Sequence, residues 1–136
     1  MKQEETVFTK IIKREIPADI VYEDEKVTAF LDINPVTSGH LLLIPKEPHE
    51  WMSDVPDELL SYTYIKAKEL MLKLKEAMNA DFVVLSVVGV DVPHFHIHLI
   101  PRRYNDGLAN FWPTKKYKKG EAEKIKEKII QTLETK

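Results

Sequence analysis

Cysteine is absent from the 136-residue chain, which removes disulfides, thiolate nucleophiles and thiolate zinc ligands together and suits a reducing compartment. Glycine is sparse, with four residues against eight prolines. An excess of one charge is also missing: 20 lysines and arginines face 22 aspartates and glutamates, for a net charge of −2. No global field therefore draws the protein onto nucleic acid or an anionic membrane, and an anionic ligand must be caught locally. The first twenty residues, MKQEETVFTKIIKREIPADI, carry charge throughout and hold no apolar signal core. No uncharged run approaches the ~20 apolar residues of a membrane span. A soluble cytoplasmic protein, with no nucleic acid and no membrane among its partners, is the expectation. At this size, with 43% hydrophobic residues, one globular domain with one core is expected over residues 1–136.

What is present reads as a mixed α+β fold. Residues 6–15 predict a short helix showing Phe8, Ile11 and Ile12 on one side and stopped by Pro17. The runs 20–24 and 26–32 read as a hairpin, and 40–45 as a strand after a turn built from Asn34, Pro35, Ser38 and Gly39. Residues 57–79 give the clearest helix: Leu60, Tyr64, Ala67, Met71, Leu74 and Met78 form one apolar stripe. Ser53 or Asp54 is the expected cap, with Pro56 near the first turn. Residues 81–90 and 92–101 read as two neighbouring strands with a tight turn near Gly89. Beyond a looser stretch, Ala122, Ile125, Ile129 and Leu133 share a face of a last helix. The cluster KKYKK at 115–119 reads as a solvated face.

The chemistry concentrates in VPHFHIHLIPR at 92–102, where His94, His96 and His98 alternate with Phe95, Ile97 and Leu99. Side chains alternate across a strand, which puts the imidazoles on one face and the apolar residues on the core face. Neighbouring histidines then lie about 6.6 Å apart at Cα and the outer pair about 13 Å. The outer two cannot converge on one zinc with bonds of about 2 Å without a bulge. Two of them with His40 or His49 and a carboxylate is the remaining metal arrangement, and no required metal or cofactor is expected. Packing alone is a poor account of three imidazoles in alternation. With an ordinary pKa of about 6.5, such a row offers both a neutral nucleophile and protonated donors to phosphate oxygens. That suits phosphoryl chemistry split into two displacements.

HFHIHLI at 94–100 resembles the signature of the histidine-triad (HIT) family, in which three histidines alternate with apolar residues. FTKIIKREIPADIVYED at 8–24 and VTAFLDINPVTSGHLLLIPKE at 27–47 agree in order, so the resemblance runs from Val7 to Trp112. It implies a single HIT domain: an antiparallel sheet of about five strands, one long helix, a short N-terminal helix and, at 113–136, a C-terminal extension with an extra helix. The implied protein is a homodimer that hydrolyses or transfers at the α-phosphate of a nucleotide without an obligatory metal. Its branch is that of nucleoside phosphoramidases, with an AMP-like purine nucleotide as ligand. In family terms His96 is the nucleophile that forms a nucleotidyl-histidine, His98 contacts the phosphate and leaving-group side, His94 supports the imidazole network, and His40 is the fourth histidine. Asp32 corresponds to the carboxylate that accepts from the ribose hydroxyls. Phe8, Ile11, Ile16, Phe30, Leu31 and Ile33 correspond to the base pocket.

The chain also departs from the family pattern. Thr6 and Thr9 stand where many bacterial members carry the Cys-x-x-Cys half of a zinc site, so that zinc is expected to be missing. Before the triad, Gly89 is retained, Val90 replaces a glutamine, and Asp91 occupies a short polar position. Gly89 and Asp91 are thus expected beside the nucleotide, with the Asp91 charge disfavouring polyphosphate leaving groups. The rivals to phosphoramidate hydrolysis are dinucleoside polyphosphate hydrolysis, a nucleotide-binding module with little turnover, and a metal-dependent hydrolase.

Overall fold

The computed structural model describes residues 5–135, which divide into two compact units with the boundary after Asp106. The first unit begins with α1 (Val7–Ile12), shorter than the apolar pattern suggests. Thr6 and Thr9 close a capping box at its start, which satisfies amide groups a helix otherwise leaves orphaned. The chain leaves the helical path at Arg14, whose φ is 65°, three residues before Pro17. Strands β1 (Ile20–Glu23), β2 (Val27–Leu31), β3 (Leu41–Pro45), β4 (Phe82–Ser86) and β5 (Ile97–Arg102) form one antiparallel sheet ordered β1-β2-β3-β5-β4.

The sheet is covered on both sides. Ala29, Leu43 and Ile97 lie opposite one another across β2, β3 and β5, and with Val27, Leu41 and Leu99 they pack against α2 (Asp57–Ala77). Thr63, Ala67 and Leu74 of α2 are buried there, flanked by Leu60, Tyr64 and Met78 of the stripe. Fully burying each large apolar side chain contributes roughly 1.5–3 kcal/mol. The register places a second row, Phe30, Leu42, His98 and Ser86, on the opposite face. Phe8 and Ile11 of α1 cover that face, clustering with its Phe30, Leu42 and Ile44. The face that carries the histidine of β5 is therefore the face under α1.

Three expectations are corrected. The cap of α2 is Pro56, with no side-chain hydrogen bond, while Ser53 and Asp54 belong to a separate 3-10 turn, Met52–Asp54. β4 ends at Ser86, so a ten-residue connection, 87–96, replaces the tight turn; Gly89 lies within it at φ 80°. His94 and His96 consequently precede β5, and only His98 is in the strand. Residues 94–96 have no ladder partner, although Phe95 N–H donates to the His49 carbonyl at 2.6 Å. The alternation survives the loss of the ladder: Phe95 is buried against α2 while His94 and His96 turn to the other side. His49, named above as a candidate metal ligand, pairs with Glu47 at 2.7 Å and contributes its backbone carbonyl to this join.

The second unit, from Gly107, contains α3 (Glu121–Leu133), entered through Gly120 at φ 80°. None of its residues is buried, and Ile129, Ile130 and Leu133 are exposed. Among the described residues no helix is long and apolar enough to cross a membrane.

Candidate active site

Four imidazoles gather under α1 from two places in the chain. His40 enters β3 through Gly39, and its carbonyl accepts from Asp32 N–H at 2.9 Å, tying the two residues together. His98 stands one strand away, opposite Leu42. The His40 and His98 ring nitrogens Nε2 and Nδ1 are 2.9 Å apart, and the His96 and His98 ring centroids 5.0 Å. Phe8 presents its ring edge-on to His96 at 5.0 Å and to His94 at 5.9 Å.

Burial pushes the pKa of His40, His94 and His98 below the ordinary histidine value, so these rings are neutral at pH 7. This corrects the expectation of protonated donors in the row: the rings offer N–H groups instead of cations. Their backbone contacts then fix which nitrogen bears hydrogen. Val36 N–H donates to His40 Nδ1 at 3.0 Å, so His40 carries its hydrogen on Nε2 and donates it to His98 Nδ1. His98 therefore keeps its own hydrogen on Nε2. His96 Nδ1 lies 2.7 Å from the His94 carbonyl, to which it must donate, so that in the neutral ring the lone pair is on Nε2. His94 is likewise fixed, donating from Nε2 to the Pro45 carbonyl at 2.8 Å.

His96 Nε2 is buried and has no hydrogen-bond partner. The nearest charged group is the Asp91 carboxylate, with Oδ1 at 3.5 Å. A desolvated ring nitrogen with its lone pair unspent is suited to attack an electrophile. A donor N–H on the adjacent ring, His98, is suited to stabilise charge on a phosphate oxygen.

A largely apolar cavity of about 260 Å³ adjoins the cluster. Phe8, Ile11, Ile16, Phe30, Leu31 and Ile33 all line it, so the six residues compared with a base pocket come together. Asp32, Asp91 and His98 line it as well. Asp32 Oδ1 accepts from Asn34 N–H at 2.9 Å, and Oδ2 lies 3.7 Å from His40 Nε2. Gly89 is not among the lining residues; its backbone lies under the Trp51 ring, which a Cβ there would meet at 3.3 Å. Val7, Pro17, Ala18, Asn34, Leu42 and Val92 also line the cavity; none was expected there from the sequence, since none carries a charge.

Asp32, His40 and His98 offer ligand atoms within 4.8 Å of one another. They do not suit a metal as arranged. Ligation through His40 Nε2 would move its hydrogen to Nδ1, which would then point at the Val36 N–H, and one donor would face another.

The fold and site define an α+β protein with a histidine cluster beside a largely apolar cavity, and comparison with known proteins gives this class its family. Residues 13–105 match the model of the HIT domain. A HIT-like protein of Methanocaldococcus jannaschii is 42% identical over 74% of this chain and 81% of its own. The adenosine 5′-monophosphoramidase HNT1 of Saccharomyces cerevisiae is 36% identical over 94% of this chain and 82% of its own. The crystal structure of a HIT family member from Bacillus subtilis matches with a TM-score of 0.82 at 33% identity, covering 98% of this chain and 100% of that one. The chain belongs to the HIT family.

Proposed function

We propose that the protein is a nucleotide-binding hydrolase that cleaves purine nucleoside phosphoramidates, or related adenylated conjugates, at the α-phosphate. The observation that carries this reading is the state of His96: its hydrogen is committed to the His94 carbonyl, and its buried Nε2 is left with an unshared lone pair. Kinship with the yeast adenosine 5′-monophosphoramidase supports the choice of substrate. In the first step Nε2 bonds to phosphorus as the P–N bond breaks, and the amine departs with a proton taken from water, which becomes hydroxide. In the second step that hydroxide attacks phosphorus, the N–P bond breaks, and AMP leaves as His96 returns to its starting tautomer. His98 Nε2–H donates to a non-bridging oxygen in both steps, and His40 holds the His98 ring in that tautomer. His94 acts through its carbonyl, as the group that positions the nucleophile.

The base occupies the cavity between Phe8, Ile11, Phe30, Leu31 and Ile33, and the Asp32 carboxylate accepts from the ribose hydroxyls. We place the enzyme in the cytoplasm, as a homodimer. The deciding experiment is release of AMP from adenosine 5′-phosphoramidate by wild type and His96→Ala, both in EDTA. Wild type is expected to turn over and the variant to lose at least about 10³-fold of the activity. Turnover by the variant, or dependence on added zinc, would remove the covalent histidine mechanism.

A further inference from the structure

A second cavity, of about 470 Å³, adjoins the first: Val7, Asp91 and Val92 line both. Its lining differs in kind. Glu5, Glu50 and Asp91 contribute carboxylates, and among the described residues that line it there is no lysine, arginine or histidine. Glu5 is paired with Lys13, which leaves Asp91 and Glu50 as the acidic pair that sets the field of the space. An acidic cluster alone would say little. Here the buried, unpartnered Nε2 of His96 lies 3.5 Å from Asp91 Oδ1, at the residue where the two cavities meet.

A phosphorus atom brought to that nitrogen has its nucleoside in the apolar cavity and its departing group in whatever adjoins the nitrogen elsewhere. We propose that the acidic cavity receives the leaving group, with Asp91 and Glu50 as specificity-determining residues that favour amines carrying a second, distal positive charge and exclude anionic groups. This rests on the hydrolase reading and adds the charge class of its substrate. The physical basis is like-charge repulsion at short range between solvent-exposed carboxylates and the tail: a carboxylate or polyphosphate tail beside Asp91 and Glu50 is opposed, while an ammonium tail is attracted, and both effects weaken with added salt. Bond making and breaking are those already given, since the distal charge takes no part in them.

The test holds the reacting bond constant and changes only the far end of the leaving group. Three adenosine 5′-N-alkylphosphoramidates of equal chain length are compared, ending in an ammonium, a methyl and a carboxylate. Wild-type kcat/KM is expected to fall from the first to the last by about 100-fold. Asp91→Asn is expected to compress that range by about tenfold, and Asp91→Asn with Glu50→Gln to remove most of the remainder. Equal rates for the three substrates in wild type, or the same ranking in the double variant, would overturn the proposal.

Binding keeps it separate from the hydrolase reading. The corresponding alkyl phosphate esters of adenosine, whose alkoxides leave poorly, are titrated into wild type and both variants. If no phosphoramidate is hydrolysed but the ammonium ester binds about tenfold tighter than the carboxylate ester, and the variants lose the difference, the acidic subsite stands and the hydrolase reading falls. Hydrolysis of all three without charge preference in rate or binding leaves the hydrolase and removes the subsite.

Discussion

His96 and His98 differ in which ring nitrogen carries hydrogen, and the difference traces to backbone groups far apart in sequence: the Val36 N–H on one side, the His94 carbonyl on the other. The burial of the cluster links it to stability. Burial holds the folded-state pKa values of His40, His94 and His98 below the ordinary histidine value of 6.5. At pH values between the folded and the unfolded pKa, the unfolded chain binds protons that the folded chain refuses. The stability these groups contribute is therefore fully present above pH 6.5 and is lost as pH falls through the folded values. The melting temperature is expected to be level from pH 8 to 7 and to drop between pH 6.5 and 5, with His94→Gln showing a shallower drop. A wild-type profile that is flat across that interval would contradict the burial argument. The tautomer of His94 was not legible in the sequence, because its partner, the Pro45 carbonyl, lies 49 positions away and comes near only through the fold.

The β3 element depends on how the chain turns into it. Gly39 has φ 92°, and a Cβ there would lie 2.8 Å from the Met78 side chain at the end of α2. An alanine thus faces both a left-handed backbone and a contact, at roughly 1–3 kcal/mol. Gly39→Ala is expected to lower the urea midpoint with an unchanged m-value, and to weaken AMP binding because His40 is the next residue. If Met78→Ala in the same chain erased the whole effect, the contact and not the backbone would be its source. This turn was legible in the sequence as a cluster of turn-forming residues, as was the α2 stripe, whose Ala67 and Leu74 are buried as the periodicity requires. The end of the histidine strand was not. Periodicity in HFHIHL reports which side each residue faces, and that proved right; it carries no information on whether a neighbouring strand is present to pair with, and β4 stops at Ser86. Thr6 and Thr9, notable in the sequence only as replacements for a zinc half-site, turned out to spend both side chains on the start of α1, the helix that carries Phe8 and Ile11 over the site.

At the scale of the molecule, the question is what the protein leaves uncovered. Helix α2 buries one stripe against the sheet, yet Ile65 and Leu72 on its outer side are 60% and 61% exposed. They are seven residues apart, two helical turns, and so lie on one line along the helix. Strand β4, the neighbour of β5, is an edge of the sheet, and all five of its residues are only partly buried. An edge strand and an exposed apolar line along a helix are each the kind of feature that a second copy covers under two-fold symmetry, which supports the proposed homodimer. Leu72→Glu with Ile65→Glu would bring four carboxylates into such an interface, and is expected to convert a dimer to a monomer at ~10 μM by sedimentation, abolishing any dependence of melting temperature on protein concentration. A wild-type chain that sediments as a monomer at that concentration would end the dimer proposal at once. The catalytic assay on the same double variant then separates assembly from chemistry. The four histidines and the cavity residues belong to one chain, so AMP release is expected to persist in the monomer, and its complete loss would mean that the second copy completes the site.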